Sequence, residues 1–176
     1  PPSVKAKETR VVAIYPSANV LPLNQLKFYV YFSSPMSTGW TTRAVHVRRG
    51  DTNELLDGVF LASGPELWDP ERQRLTLMLD PGRIKRGLEP NKETGYPLIE
   101  GVPIVISIDP AFRDAAGLPL LTGAERHYDV SSAMRARVNP QDWRCHFPAA
   151  GSVAPLTVEF DRPLDHGLLE HSLWVN

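Results

Sequence analysis

Proline interrupts this chain so often that long helices are excluded. The 176 residues include 17 prolines and 12 glycines, whereas proline normally makes up about 5% of a protein. Each proline lacks a backbone donor and clashes with the preceding turn in a helix interior. Apolar residues make up 42% of the chain, which is enough to bury a core. The chain is therefore expected to fold through short elements.

Alternating residues predict strands. Residues 26–32 read Leu-Lys-Phe-Tyr-Val-Tyr-Phe, so that Leu, Phe and Val share one face while Lys and Tyr share the other. Further runs with strand character cover residues 10–15, 44–49, 59–62, 74–79, 102–108 and 126–130. Turn residues separate these runs, and no helical period is visible. Residues 81–101 and 109–123 are expected to be long loops.

Seven short strands separated by turns are typical of an all-β antiparallel sandwich. We expect one complete β-sandwich over residues 10–130, preceded by an N-terminal extension over residues 1–9.

A second series of residues repeats the first at a constant offset of 128. The matched pairs are Phe28 and Leu156, Val30 and Val158, Phe32 and Phe160, Pro35 and Pro163, Met36 and Leu164, Gly39 and Gly167, Val45 and Leu173, and Val47 and Val175. Residues 131–176 are therefore predicted to be a linker and an incomplete second unit. Because three strands cannot close a sandwich, we expect either a longer native chain, which we favour, or a partner that adds strands.

Both series share an entry motif. A Pro-x-x-(Asn/Gly) stretch and a second proline precede a strand that ends Phe-(Ser/Asp)-x-Pro-(Met/Leu); the residues are Pro16–Asn19 with Phe32–Met36, and Pro148–Gly151 with Phe160–Leu164. The pattern resembles bacterial Ig-like domains of the S-layer and copper-resistance (CopC-like) type. Asp114–Leu118 is similar to a further Asp-x-x-Gly-Asn stretch of that family, with Leu in place of Asn. The resemblance implies an Ig-like fold and an exported protein, periplasmic or at the cell surface, in a narrower subfamily.

Charge and motifs narrow the function. The net charge of −1 argues against the strongly basic face that a nucleic-acid binder presents. The apolar run at residues 102–108 is too short to span a membrane. The single cysteine excludes an intrachain disulfide. The sequence contains neither the Gly-x-Ser-x-Gly motif of hydrolases, nor the His-Glu-x-x-His motif of zinc proteases, nor a phosphate-binding P-loop. Glu66, Asp69 and Glu71 are expected to lie in a loop exposed to solvent. We therefore predict no catalytic residue, no cofactor and no enzymatic activity.

The resemblance makes copper binding an alternative to test. Cys145, His146, Asp165, His166 and His171 are weak candidate ligands in the second series. Cysteine and histidine suit Cu(I) or zinc, but neither a Cys-x-x-Cys nor a His-x-x-x-His spacing appears. No metal site is favoured, and a periplasmic copper-binding module remains an alternative function.

Aromatic and basic residues supply candidate binding sites. Trp40 and Trp68 are expected in turns or loops, where they could stack on a sugar or anchor a partner. Arg83, Lys85 and Arg86 could pair with an anionic partner. The leading hypothesis is a non-enzymatic structural or protein-interaction module that contacts another protein or an adjacent Ig-like domain. A carbohydrate-binding accessory domain is an alternative, and no small-molecule ligand is specified.

Overall fold

The computed structural model describes residues 8–61 and 64–174. The chain forms two compact units, one up to Met134 and one from Arg135 onward. Within the described residues, none of the helices has the length and apolar character that crossing a bilayer requires.

The first unit is built from short strands joined by turns and by helices of four to six residues. The strands are β1 (Val11–Tyr15), β2 (Val20–Pro22), β3 (Lys27–Phe32), β4 (Val45–Arg49), β5 (Leu67–Trp68), β6 (Arg74–Met78), β7 (Ile104–Ile108) and β8 (Ala124–Ser131). The helices are α1 (Thr41–Ala44), α2 (Pro81–Ile84) and α3 (Glu89–Thr94).

These strands form two four-stranded sheets, in the orders β1-β3-β6-β5 and β2-β8-β7-β4. All pairs are antiparallel except β2 and β8, which run parallel. The prediction of an all-β, Ig-like antiparallel sandwich is confirmed, with that one parallel pair as the difference.

The chain moves from one sheet to the other at the cis peptide bond between Tyr15 and Pro16. Tyr128 of β8 secures this crossing, because its hydroxyl donates a hydrogen bond to the carbonyl oxygen of Pro16 at 2.9 Å. Burial raises the pKa of Tyr128 to about 12, so the hydroxyl keeps its proton at neutral pH and stays a donor.

The core lies between the two sheets. Alternation predicts its inward face correctly: Phe28 and Val30 of β3 are fully buried, and Leu75 and Leu77 of β6 lie beside them. The opposite sheet contributes residues such as Ile106. Fully burying each such side chain contributes about 1.5–3 kcal/mol, so this face decides how the two sheets pack.

The outer strands of the first unit are shielded or short. A bulge at Val12 disrupts the ladder of β1. The backbone of residues 54–56 covers β4, since the amide of Leu56 donates to Val47 and that of Arg49 to Glu54, both at 2.8 Å. Short or covered edges discourage pairing with other chains.

Some expectations about elements are wrong. Residues 59–62 are not a strand: Phe60 makes one bridge with Leu79, and Ala62 lies outside the described residues. The loop over residues 81–101 contains α2 and α3, whose first turns hold Pro81 and Pro90. Proline suits a first turn because the amide there has no helical partner.

The second unit contains β9 (Arg144–His146), β10 (Thr157–Glu159) and α4 (His166–Ser172), with a 3-10 turn at Pro140–Asp142. Strands β9 and β10 pair antiparallel. The Trp143 and Phe160 rings meet edge to face with centroids 4.9 Å apart.

Candidate functional site

On the outer face of the sheet β2-β8-β7-β4, strand β7 lies between longer side chains of β4 and β8, and this part of the face is named the groove. Two rows of paired residues cross it from β4 through β7 to β8: His46, Ser107 and Glu125 in one, and Arg48, Val105 and His127 in the other. The central strand contributes the short side chains and its neighbours the long ones. This difference in length makes β7 the floor and β4 and β8 the walls.

Val105, in the middle of the groove, is covered by its neighbours. It is only 5% exposed although it does not belong to the core cluster between the sheets. Arg48 and His127 flank it in its own row. The Arg48 guanidinium also forms an ion pair with the Glu125 carboxylate, which links the two walls across the groove.

Two separate cavities lie at the two ends of this groove, and Val105 lines neither of them. One of about 450 Å³ includes His46, Ser107 and Asp109 in its lining. The other, of about 400 Å³, includes His127 and Asp129. Both volumes are in the range of about 300–1,000 Å³ that is usual for ligand sites.

The groove carries net negative charge. The acidic side chains that line the cavities are Asp109, Glu125 and Asp129, whereas Arg48 is the lining arginine and no lysine is among the lining residues. The Nε atom of Arg48 is buried without a hydrogen-bond partner among the described residues. With the histidines neutral, three carboxylates and one guanidinium leave a charge of −2.

Trp68 packs inward and not into a solvent-facing loop. It lies in β5, with its ring centroid 5.9 Å from that of Phe32 and 6.1 Å from that of Phe112. Its indole Nε1 donates to Glu66 Oε2 at 2.8 Å. This packing uses much of the ring that a sugar would need.

Glu66 fixes the start of α1. Its carboxylate accepts hydrogen bonds from the amides of Gly39 at 2.8 Å and Thr41 at 2.7 Å, besides the indole of Trp68. Burial raises the pKa of Glu66, but these hydrogen bonds lower it by a larger amount. The pKa of Glu66 therefore lies below its usual value. Asp69 accepts from the amides of Gln73 and Arg74. Both carboxylates therefore organise local backbone.

Trp40 keeps some exposure. It packs partly against the core, and the Arg113 guanidinium lies 5.8 Å from its ring centroid. Trp40 differs in this from Trp68, which packs against Phe32 and Phe112.

Arg83 holds its own loop together and also ties it to Gly58, which lies outside that loop. Its guanidinium donates to the carbonyl oxygens of Tyr96 at 2.9 Å, Gly95 at 3.0 Å and Gly58 at 3.3 Å. Lys85 and Arg86 are exposed. The predicted basic cluster thus divides into one residue that ties the loop together and two that face solvent.

The candidate metal ligands are engaged in local contacts. His146 Nε2 lies 3.5 Å from a Glu159 carboxylate oxygen, and His166 Nε2 lies 3.4 Å from one of Glu170. Asp165 accepts from the amide of Leu168 at the start of α4, which also contains His171. Cys145 is exposed in β9. Over residues 8–61 and 64–174, no three such side chains gather as a metal site would require.

Asp114 is a buried carboxylate with a structural role. It is 5% exposed and accepts from the Thr9 hydroxyl at 2.8 Å and from the amides of Ala116 and Leu118 at 2.9 Å. Burial raises the pKa of Asp114, and the hydrogen bonds more than reverse this, leaving the pKa below its usual value. The residue joins the entry of β1 to the loop over residues 109–123.

Sequence reasoning missed the groove. The alternation over residues 44–49 places His46 and Arg48 outward, and the same argument places His127 outward on β8. Recognising the groove also requires knowing that β7 lies between these strands, which the sequence pattern does not show.

Comparisons with known proteins find partial structural alignments at low sequence identity. No family model matches the chain, so none places it in the CopC-like type, and no curated protein matches it. Domains 1–6 of the surface layer protein SbsC align with a TM-score of 0.44 and 13% identity over 81% of this chain. The MG0-NIE-MG1 segment of Escherichia coli alpha-2-macroglobulin aligns with a TM-score of 0.42 and 11% identity over 72%. The chain spans 16% of the first structure and 33% of the second.

Proposed function

We propose that this chain is a non-enzymatic Ig-like module of an exported bacterial protein, and that it serves as a spacer and protein-interaction domain in a tandem array. The observation that carries this proposal is the agreement between two hairpins, β1–β3 and β9–β10.

The two hairpins share a register. Tyr15 pairs with Tyr29 and Ile14 with Val30 in the first, and His146 pairs with Thr157 and Cys145 with Val158 in the second. Residues of β10 follow those of β3 by 128 positions, and residues of β9 follow their β1 counterparts by 131. The connection of the second hairpin, residues 147–156, is three residues shorter than that of the first, residues 16–28, and this accounts for the difference.

The following segment supports the same interpretation. In the first unit α1 occupies residues 41–44, and an offset of 128 brings these to residues 169–172, which lie within α4. A tandem array of one kind of unit explains why a hairpin, a proline-containing turn and a short helix recur in the same order.

A single substitution tests the register. We expect Val158→Cys to form a disulfide with Cys145 under mild oxidation, because directly opposed residues bring their Cβ atoms close enough for the bond. Mass spectrometry should show the loss of two hydrogen atoms in the intact chain. The matched Glu159→Cys variant, whose opposed residue is Arg144, should oxidise far less. Equal oxidation of both variants would contradict the shared register and the proposal built on it.

The compartment has a separate test. Cys145 is exposed and is the single cysteine of the chain. A maleimide that cannot cross the cytoplasmic membrane should label it in intact cells, and labelling only after lysis would exclude export.

A further inference from the structure

Strand β10 has one open edge. It pairs with β9 on one side, and no strand of the described residues lies on its other side. Its counterpart β3 lies between β1 and β6. Since β9 corresponds to β1 in the shared register, the open edge of β10 corresponds to the edge of β3 that β6 occupies.

The pairing of β3 with β6 shows which backbone groups this edge presents. The Phe32 amide donates to the Gln73 carbonyl oxygen at 2.8 Å. The Leu79 amide donates to the Leu26 carbonyl oxygen at 2.9 Å. Because bonded pairs alternate along antiparallel strands, the even-numbered residues of β3 direct their amides and carbonyls toward β6. An offset of 128 preserves this parity, so Val158 directs its amide and carbonyl toward the open edge.

The apolar face of the second unit has less cover than its counterpart in the first. Val45 is 7% exposed, whereas the corresponding Leu173 is 43% exposed. Val30 is fully buried, whereas the corresponding Val158 is half-buried. A further strand beside β10 would extend this sheet and bury more of its apolar face, which is favourable.

Charge specifies the strand that fits this edge. In the first unit Arg74 of β6 lies opposite Tyr31 of β3, and the counterpart of Tyr31 is Glu159. The side chain of Glu159 is 60% exposed, and among the described residues its ion-pair contact is with His146 of β9. A strand with the β6 pattern would therefore place an arginine opposite this carboxylate and a leucine opposite Val158. Opposite charges at directly opposed positions stabilise strand pairing.

We propose that the open edge of β10 binds an antiparallel strand of a partner molecule that has the residue pattern of β6. Apolar residues of this strand lie opposite Leu156 and Val158, and a basic residue lies opposite Glu159. The proposal rests on the interaction role proposed above, and it names the surface and the chemistry of the partner.

A labelled peptide with the sequence of residues 72–79, Arg-Gln-Arg-Leu-Thr-Leu-Met-Leu, tests the proposal. Fluorescence anisotropy with the full chain should show saturable binding. Methylation of the peptide amide at the position of Leu75 should weaken the affinity about tenfold, because that amide faces β10 and can no longer donate. Methylation at the position of Thr76 is the matched control. Its amide faces away from β10, so the affinity should change less than about twofold.

A charge exchange tests the register. Glu159→Lys should weaken binding of the peptide about threefold, and a peptide carrying Arg74→Glu should bind this variant more tightly than it binds the unchanged chain. Glu71→Lys makes the same change of net charge at an exposed position of the first unit and should not favour the altered peptide. Circular dichroism establishes that each variant is folded.

Three results would overturn the proposal. They are no saturable binding up to about 1 mM peptide, equal loss of affinity from the two methylations, and no preference of Glu159→Lys for the altered peptide. The disulfide test concerns the pairing of β10 with β9, on the opposite edge. If that disulfide forms and the peptide fails to bind, the proposed function stands and this proposal alone is wrong.

Discussion

The hairpins β1–β3 and β9–β10 have one register and different surroundings. In the first, Val30 is fully buried and Phe32 is 4% exposed; in the second, Val158 and Phe160 are half-buried. Strand β3 has β6 as its second neighbour, whereas β10 pairs with β9 alone among the described residues. Local sequence is therefore sufficient for the hairpin, while the burial of its apolar face depends on distant strands.

The aromatic contacts show the same contrast. Phe32 lies 5.9 Å from Trp68 and 5.4 Å from Phe112 between ring centroids, and both partners come from later parts of the chain. Phe160 meets Trp143, which immediately precedes β9. A residue held by distant partners contributes to the cooperative fold of its unit, and one held by its own hairpin contributes mainly locally.

The largest expected difference follows from truncating the two matched phenylalanines. Phe32→Ala should lower the free energy of unfolding by about 3–5 kcal/mol, because it leaves a cavity in a packed core. Phe160→Ala should lower it less, by about 1–2 kcal/mol, because the side chain is only partly buried and its ring contact is with Trp143 beside its own hairpin. Urea denaturation followed by circular dichroism measures both values. Similar losses would mean that the second hairpin is packed as firmly as the first.

A smaller effect is expected at Asp114, which ties the first unit together. Its pKa is lowered in the folded state, so its stabilising contribution is present above the pKa of an unfolded aspartate, about 3.9, and is lost as the pH falls through the lower folded value. Asp114→Asn should cost about 1–2 kcal/mol at pH 7 and remove this part of the acid dependence. Unfolding free energies from pH 7 to pH 3 measure both effects.

A carboxylate of the second unit supplies the control. Asp165 also accepts a backbone hydrogen bond, at the start of α4. Asp165→Asn should reduce the stability of the main transition less than Asp114→Asn does. The opposite order would show that the helix cap matters more to the fold than the buried carboxylate.

The smallest effect is expected where the first unit ends. The Asn24 amide donates to the Met134 carbonyl oxygen at 2.7 Å and accepts from the Met134 amide at 2.8 Å. Asn24→Ala should speed tryptic cleavage after Arg135 by about fivefold, since two hydrogen bonds no longer hold the segment. Gln25→Ala is the control, because Gln25 bonds to Lys27; equal acceleration by both variants would exclude a specific role for Asn24.

Much of the first unit could be predicted from alternation. The pattern over residues 26–32 predicts β3 to within one residue, because a strand with one buried face has an unmistakable period. Strands β2 and β5 span three and two residues, which is too short to show a period. The helices of four to seven residues escape notice for the same reason. Val59 is buried without belonging to a strand, so an apolar run can indicate burial alone.

The candidate site was less accessible to sequence reasoning. Trp68 and Arg83 are conspicuous residue types, but their contacts depend on distant segments that the sequence does not place. The groove depends on which residues share a row across three strands. Alternation says which side of a strand a residue occupies, and it leaves open which residue lies opposite.

The parallel pair β2–β8 has a mechanical consequence. These strands lie near the two ends of the first unit, and the amide of Asp129 donates to Asn19 and that of Leu23 to Ser131, each at 2.9 Å. Tension along the chain would pull parallel neighbours at opposite ends of a unit in opposite directions. Such a load shears their hydrogen bonds together instead of opening them one by one. The arrangement that closes the sandwich thus also lets the unit carry force.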